Sequence, residues 1–227
     1  MDEEITGLKA KMELKGTKEL AGCEFYEGLL HERDIVLVKS GIGKVNAAVC
    51  TQALIGEYGV DCVINTGAAG SMAPGVGIGD VVISTDLVQH DYDTSTFGDD
   101  VIGTIPRLGK RFFEADEGLI SAAYSASHKG IKLHKGRIAT GDQFIADRER
   151  KDRIKSIFAP LCVEMEGAAI AHACYLNKVP FVVIRSISDN SDGDADLSFE
   201  KFVHMAAENS SRIVEEILRA YPTITAK

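Results

Sequence analysis

A chain of 227 residues, 45% hydrophobic and 26% charged, can bury one α/β core without help from disulfides or metal, and one domain spanning 1–227 is the expectation. Its net charge of −9, from 34 acidic against 25 basic residues with no dense Lys/Arg run, repels a phosphate backbone and argues against a nucleic-acid partner. No stretch approaches about 18 uninterrupted apolar residues, and the start Met1-Asp2-Glu3-Glu4 is acidic where a signal peptide is basic, so no membrane span is expected and the cytosol is the expected compartment.

In chain order, helical periodicity runs from Glu4 to about Met12, and a Val/Ile-rich strand follows at Asp34-Val38. Next come the turn Ser40-Gly41-Ile42-Gly43-Lys44 and a helix from Lys44 to about Glu57. Further strands are expected at Cys62-Asn65, Val81-Ser84, Arg137-Thr140, Leu161-Glu164 and Phe181-Ser186. Between and after them, helices are expected at Asp116-His128, Asp147-Ile157, Glu166-Leu176 and Phe199-Ala220. The last is amphipathic, with Phe202, Met205, Ala206, Ile213, Ile217 and Leu218 toward a core. The alternation predicts an α/β fold: a mixed, largely parallel sheet flanked by helices, with no repeat or linker to divide it.

Ligands on open α/β sheets sit outside the carboxyl ends of the strands, so the residues just after strands are the first to weigh. Thr66-Gly67-Ala68-Ala69-Gly70-Ser71 reads as a turn of small residues that either lets the backbone approach a ligand or merely packs tightly. Ser40-Gly41-Ile42-Gly43-Lys44 lacks the remaining glycines of either nucleotide fingerprint and reads first as a strand-to-helix turn. Val163-Glu164-Met165-Glu166 sets two carboxylates two residues apart; one can accept from sugar hydroxyls, or both can serve a helix N-terminus. Asp189 ends a buried strand where a catalytic acid would stand, though an N-cap or Asx turn also explains it.

Metal is not expected. A twelve-residue calcium loop from Asp189 to Glu200 puts Gly193 at position five and Asp194 at six, where the EF-hand turn needs glycine. The six histidines show no ligand spacing, and His90-Asp91-Tyr92-Asp93 reads as a polar loop. The five cysteines form no C-x-x-C pair and read as reduced core residues. No G-x-S-x-G elbow supports a serine nucleophile, and no cofactor is implied.

Taken jointly, Ser40-Gly41-Ile42-Gly43-Lys44, Asn65-Thr66-Gly67-Ala68-Ala69-Gly70, Gly141-Asp142-Gln143-Phe144-Ile145, Val163-Glu164-Met165-Glu166-Gly167-Ala168 and Arg185-Ser186-Ile187-Ser188-Asp189 resemble, in order, the bacterial 5′-methylthioadenosine/S-adenosylhomocysteine nucleosidases of the purine nucleoside phosphorylase superfamily. The resemblance implies hydrolysis of the adenine–ribose bond in methionine salvage. Asp189, held by Ser188, would donate a proton toward N7 of adenine, and Glu4 would activate water. Glu166 would hold the ribose hydroxyls beside Met165. Phe144 would stack on adenine, the backbone of Ile145 would read its edge, and Phe199 would line the purine pocket. Ala68-Ala69-Gly70 would lie on the ribose and water side, with Ile42 beside the alkylthio group. The resemblance also implies a homodimer, with Phe97 completing the neighbouring subunit's site.

Two departures stand out. Family members carry a short apolar strand before the segment matching Met1-Asp2-Glu3-Glu4, so a core strand is expected to be missing and Glu4 to lie on a frayed terminus. Ala68 replaces a serine common in relatives, removing one hydroxyl from the ribose side. Two rival readings remain: a phosphorolytic enzyme, which would need arginines beside the glycine segments, and a nucleoside binder without chemistry. Arg185, four residues before Asp189 on the same strand, is expected to organise that carboxylate. The loops around the pocket set the choice among methylthioadenosine, S-adenosylhomocysteine, 5′-deoxyadenosine and futalosine-like substrates.

Overall fold

A computed structural model describes residues 2–98, 101–125, 130–191 and 195–220, the side chains of residues 2–4, 97 and 197 excepted. Helix α1 (Asp2–Lys9) leads into β1 (Glu13–Leu20), β2 (Cys23–Leu30) and β3 (Arg33–Val38), which pair as an antiparallel sheet of three. β1 and β2 are not among the strands expected from the sequence. Leu20 pairs with Cys23 around Ala21-Gly22, and Leu30 with Arg33 around His31-Glu32. All four turn residues have positive φ, at 51°, 75°, 50° and 62° in chain order, the geometry that two-residue hairpin loops require.

The chain continues through α2 (Lys44–Tyr58), β4 (Val63–Ser71), β5 (Val81–Gln89), β6 (Phe113–Glu114), α3 (Glu117–Ser125), β7 (Leu133–Thr140), α4 (Arg148–Phe158), β8 (Cys162–Glu164), α5 (Gly167–Asn177), β9 (Phe181–Asp189) and α6 (Ala195–Ala220). The second sheet runs β6-β5-β7-β8-β4-β9, and β9 also pairs with β5, so five strands close into a ring. Its longest pairings, β5–β7 and β4–β9, are parallel, while β4–β8 and β5–β9 are short and antiparallel. The α/β class with a mixed sheet is as expected; the closure into a partial barrel is new.

Closure explains the apolar runs. Val81, Val82 and Ile83 of β5 and Val182, Val183 and Ile184 of β9 are all fully buried, as in strands covered on both faces. Along α6, Ala206, Ile213 and Ile217 face this core, whereas Met205 stands at the rim against Gly79 rather than in the core as expected. The helix expected to reach His128 is α3, described over Glu117–Ser125; His128 lies outside the described residues.

One expected turn is a strand. Thr66-Ser71 stays in β4, paired in parallel with β9 from Val63↔Phe181 to Gly70↔Asp189, with a bulge between Ala69 and Gly70. Parallel pairing keeps the backbone extended, and the small residues serve a close approach instead of a reversal. That register sets the end of β4 beside the end of β9.

Candidate active site

The segment after β3, the end of β4, the segment after β7 and the ends of β8 and β9 open on one cavity of about 1200 Å³. This exceeds the space that most single small ligands fill. The cavity continues from the strand ends into a groove between β3 and β4, lined by Ile35, Leu37, Val63 and Ile64.

Asp189, the last residue of β9, is 2% exposed and borders the cavity. Its Oδ2 accepts from Ser188 Oγ at 2.9 Å and its Oδ1 from the Ser191 N–H at 2.8 Å. The second bond is the Asx turn that the sequence allowed, on a side chain that also borders the cavity. A Cβ on Gly70 would meet Ser191 Oγ at 2.0 Å and Asp189 Oδ1 at 2.7 Å. Only glycine fits opposite this carboxylate.

The two carboxylates of Val163-Glu166 both stand at the start of α5 but in different surroundings. Glu164 is buried, and its Oε2 accepts the backbone N–H groups of Glu166 at 3.0 Å and Gly167 at 2.7 Å, at the N-terminus of α5. Thr140 Oγ1 and Arg185 Nη2 also donate to it. Glu166 is the N-cap residue of α5, lines the cavity, and its Oε1 accepts the Gly43 N–H at 2.9 Å. The hydrogen bonds found for Arg185 go to Glu164, to Asn65 Oδ1 at 2.8 Å and to Glu166 Oε2 at 3.4 Å. This arginine therefore pairs with the buried Glu164 and reaches the half-buried Glu166.

Phe144, 46% exposed, meets Phe199 of α6 edge to face at 6.0 Å between centroids, and both line the cavity. The pair offers an aromatic wall for a planar base. The Ile145 side chain is buried in a cluster with Met72 and Phe158, and Ile145 is not among the residues that line the cavity. Met165, Ser188 and Ala68-Ala69-Gly70 line the same cavity, as does Ile42, which is exposed at its mouth. Glu4 falls within α1, whose Ile5 and Leu8 border the cavity, but its side chain lies outside the described residues, as does that of Phe97.

Sequence reasoning missed the ties that hold these segments. Asn65, Thr140 and Arg185 brace the glutamates, and Lys44, Asp91 and Asp142 join the segment after β3 to the segment after β7. The polar cluster His90-Asp91 was the available signal. Within it Asp91 is the bracing residue, and the His90 ring stands 2.3 Å from where a Cβ on Gly141 would lie.

A family model described as the Phosphorylase superfamily matches residues 1–219. A 5′-methylthioadenosine/S-adenosylhomocysteine nucleosidase of Anoxybacillus flavithermus is 46% identical over 218 residues, covering 95% of this chain and 93% of that protein. The crystal structure of the nucleosidase of that name from Neisseria meningitidis, in complex with methylthio-immucillin-A, superposes with a TM-score of 0.93 at 42% identity, over 96% of this chain and 95% of the other. That of Colwellia psychrerythraea, in complex with adenine, gives 0.95 at 39% identity, over 100% and 95%.

Proposed function

From the premise that this chain belongs to the Phosphorylase superfamily and to its 5′-methylthioadenosine/S-adenosylhomocysteine nucleosidases, we propose that it hydrolyses the N-glycosidic bond of those two nucleosides, releasing adenine and the 5-thio-substituted ribose. The observation that carries the reading is the convergence of Asp189, Glu166 and the Phe144–Phe199 wall on one cavity.

Adenine lies on Phe144 against Phe199, with the Ile145 backbone at its edge. Glu166 accepts from the ribose hydroxyls, Met165 packs on the sugar, and Ala68-Ala69-Gly70 floors the sugar and the water. Ile42 borders the alkylthio group at the mouth. As the C1′–N9 bond breaks, charge builds on the base and the sugar becomes cationic. Asp189 gives its proton to N7, and the oxygen of water bonds to C1′ while its proton passes to Glu4. Attack on the face opposite adenine inverts the anomeric carbon. What supports Glu4 is its neighbour Ile5, which borders the cavity.

Water is favoured over phosphate as nucleophile. Among the described residues Arg185 is the one arginine lining the cavity, and it already serves Glu164, Asn65 and Glu166. Binding without chemistry does not call for an acid held as Asp189 is. The test is adenine release from methylthioadenosine with and without phosphate. Release independent of phosphate that falls about 100–10,000-fold in Asp189→Asn supports hydrolysis with this acid. Phosphate-dependent turnover, or tight binding without release, overturns it.

The reading includes a homodimer in the cytoplasm. Val45 and Val49, at 74% and 46% exposure on α2, with the exposed Ile42 just ahead of that helix, offer apolar side chains to a second copy. Phe97 would complete that copy's site. Sedimentation of the purified chain as a monomer at micromolar concentration would refute the dimer.

A further inference from the structure

Lys44 opens α2, and its Nζ donates to Asp91 Oδ1 at 2.6 Å and Gln89 Oε1 at 3.2 Å. The other oxygen of Asp91 accepts the backbone N–H of Asp142 at 2.9 Å. Asp142 answers across the gap: its Oδ1 accepts the backbone N–H of Lys44 at 2.8 Å. The N-cap of α2 is Gly43, which has no side chain, so Asp142 supplies the carboxylate that this helix N-terminus favours. The approach needs glycine, since Gly43 has φ 93° and a Cβ there would stand 3.0 Å from Asp142 Oδ1.

A buried ion pair alone says little about function. What sets this one apart is where its two ends lead. Gly43, next to Lys44, donates to Glu166; Phe144 follows Asp142 by two residues. The clasp thus joins the segment that orients the sugar-side carboxylate to the segment that carries the aromatic wall. Burial alone would raise the Asp91 carboxyl, but the bonds from Lys44 and the Asp142 N–H outweigh it and hold it below the ordinary carboxylate range. Both side chains of the Lys44–Asp91 pair are largely buried, at 17% and 15% exposure, so solvent screens them little.

We propose that Lys44, Asp91 and Asp142 are positioning residues that couple the sugar half of the cavity to the base half, so that filling one half orders the other. This rests on the nucleosidase reading, which assigns the two halves.

The test measures coupling, which a merely structural brace would leave alone. Adenine binding is titrated with and without saturating 5-methylthioribose in the parent, Lys44→Met and Asp142→Ala. The sugar is expected to tighten adenine binding at least about fivefold in the parent. In each variant the enhancement is expected to fall below about twofold, with binding of adenine alone within about threefold of the parent. Lys44→Arg, which keeps a donor, is expected to restore part of the coupling. If Lys44→Met fails to fold, Asp142→Asn, which keeps the shape and weakens the acceptor, carries the same test. Parental coupling in a folded variant would overturn the clasp, as would an active parent without coupling. A parent that releases no adenine would overturn the nucleosidase reading itself.

Discussion

Gly70 and Asp189 stand so close that no side chain fits between them: a Cβ on Gly70 would lie 2.7 Å from Asp189 Oδ1. The parallel register Gly70↔Asp189 makes this contact, so β4, which the proposed reading sets beneath the sugar, also fixes the position of Asp189, its proposed acid. Gly70→Ala must push Asp189 or Ser191 aside, and a displacement near 1 Å at a reacting group costs about 100-fold in rate. The expectation is a fall of that size in kcat with the fold retained, read by adenine release and circular dichroism. Unchanged kcat would mean that Asp189 is not the acid.

Glu164 and Glu166 are expected to fail in opposite ways. Glu164 is buried, pairs with Arg185 and accepts two N–H groups of α5. Glu164→Ala leaves the arginine less compensated, and breaking a buried pair costs about 3–5 kcal/mol. That corresponds to a loss of roughly 10 °C in Tm at this chain length. Glu166→Gln is expected to leave Tm within about 2 °C, because its side chain reaches the cavity. Its effect falls on kcat/KM, by about 10–100-fold, as one charged hydrogen bond to the sugar of about 1.5–3 kcal/mol is lost. Equal effects of both substitutions on Tm and kcat/KM would refute this division.

The contrast marks what one sequence discloses. Val163-Glu166 showed that carboxylates meet a strand end, but not which would turn into the helix, because that depends on Arg185 and Thr140 arriving from other strands. The apolar runs of β5 and β9 were legible since burial on both faces leaves no polar alternation. The β1–β2 hairpin was not. Its first strand, Glu13–Leu20, is mostly exposed, and Ala21-Gly22 and His31-Glu32 lack the Asn-Gly or Asp-Gly signature. Glycines read as turn residues at Gly67–Gly70 because local chemistry cannot distinguish a reversal from a close packing partner 119 residues on. The clasp joins residues 47 and 98 positions apart, beyond any periodicity.

His90 should make stability depend on pH. It is 8% exposed, and among the described residues its Nε2 finds no hydrogen-bond partner. Burial lowers its pKa below the ordinary value near 6.5; Asp91 and Glu164 pull it up and Lys44 pushes it down, with burial prevailing. His172, stacked on Phe113, is lowered by burial as well. The folded state thus prefers both rings neutral, while the unfolded chain takes up protons near pH 6.5. Stability from this source is fully present above that pH and is lost as pH falls through it toward the folded values. Tm is expected to decline between about pH 7 and pH 5, and His90→Gln should flatten the decline. An equal slope in the variant would assign the loss elsewhere.

The groove between β3 and β4 is lined by apolar side chains of both strands, and a further apolar strand is expected to pair there. β2 takes one edge of β3 and β9 one edge of β4; among the described residues no strand pairs with the other edge of β3, and β8 reaches only Gly70 and Ser71 of β4. Ile35-Val36-Leu37-Val38 is a continuous apolar run of the kind covered on both faces, yet every one of these residues is only half-buried. Open edges of this kind invite pairing. Because α1 borders the same groove, a strand placed ahead of Met1 would also anchor the helix that carries Glu4. Fusing a short apolar strand there is expected to raise Tm, by about 4–8 °C for a net gain of 2 kcal/mol, and to raise turnover through better placement of Glu4. A fusion that changes neither Tm nor turnover would refute the proposal. A rise in Tm alone would keep the strand and remove Glu4 from the list of groups that depend on it.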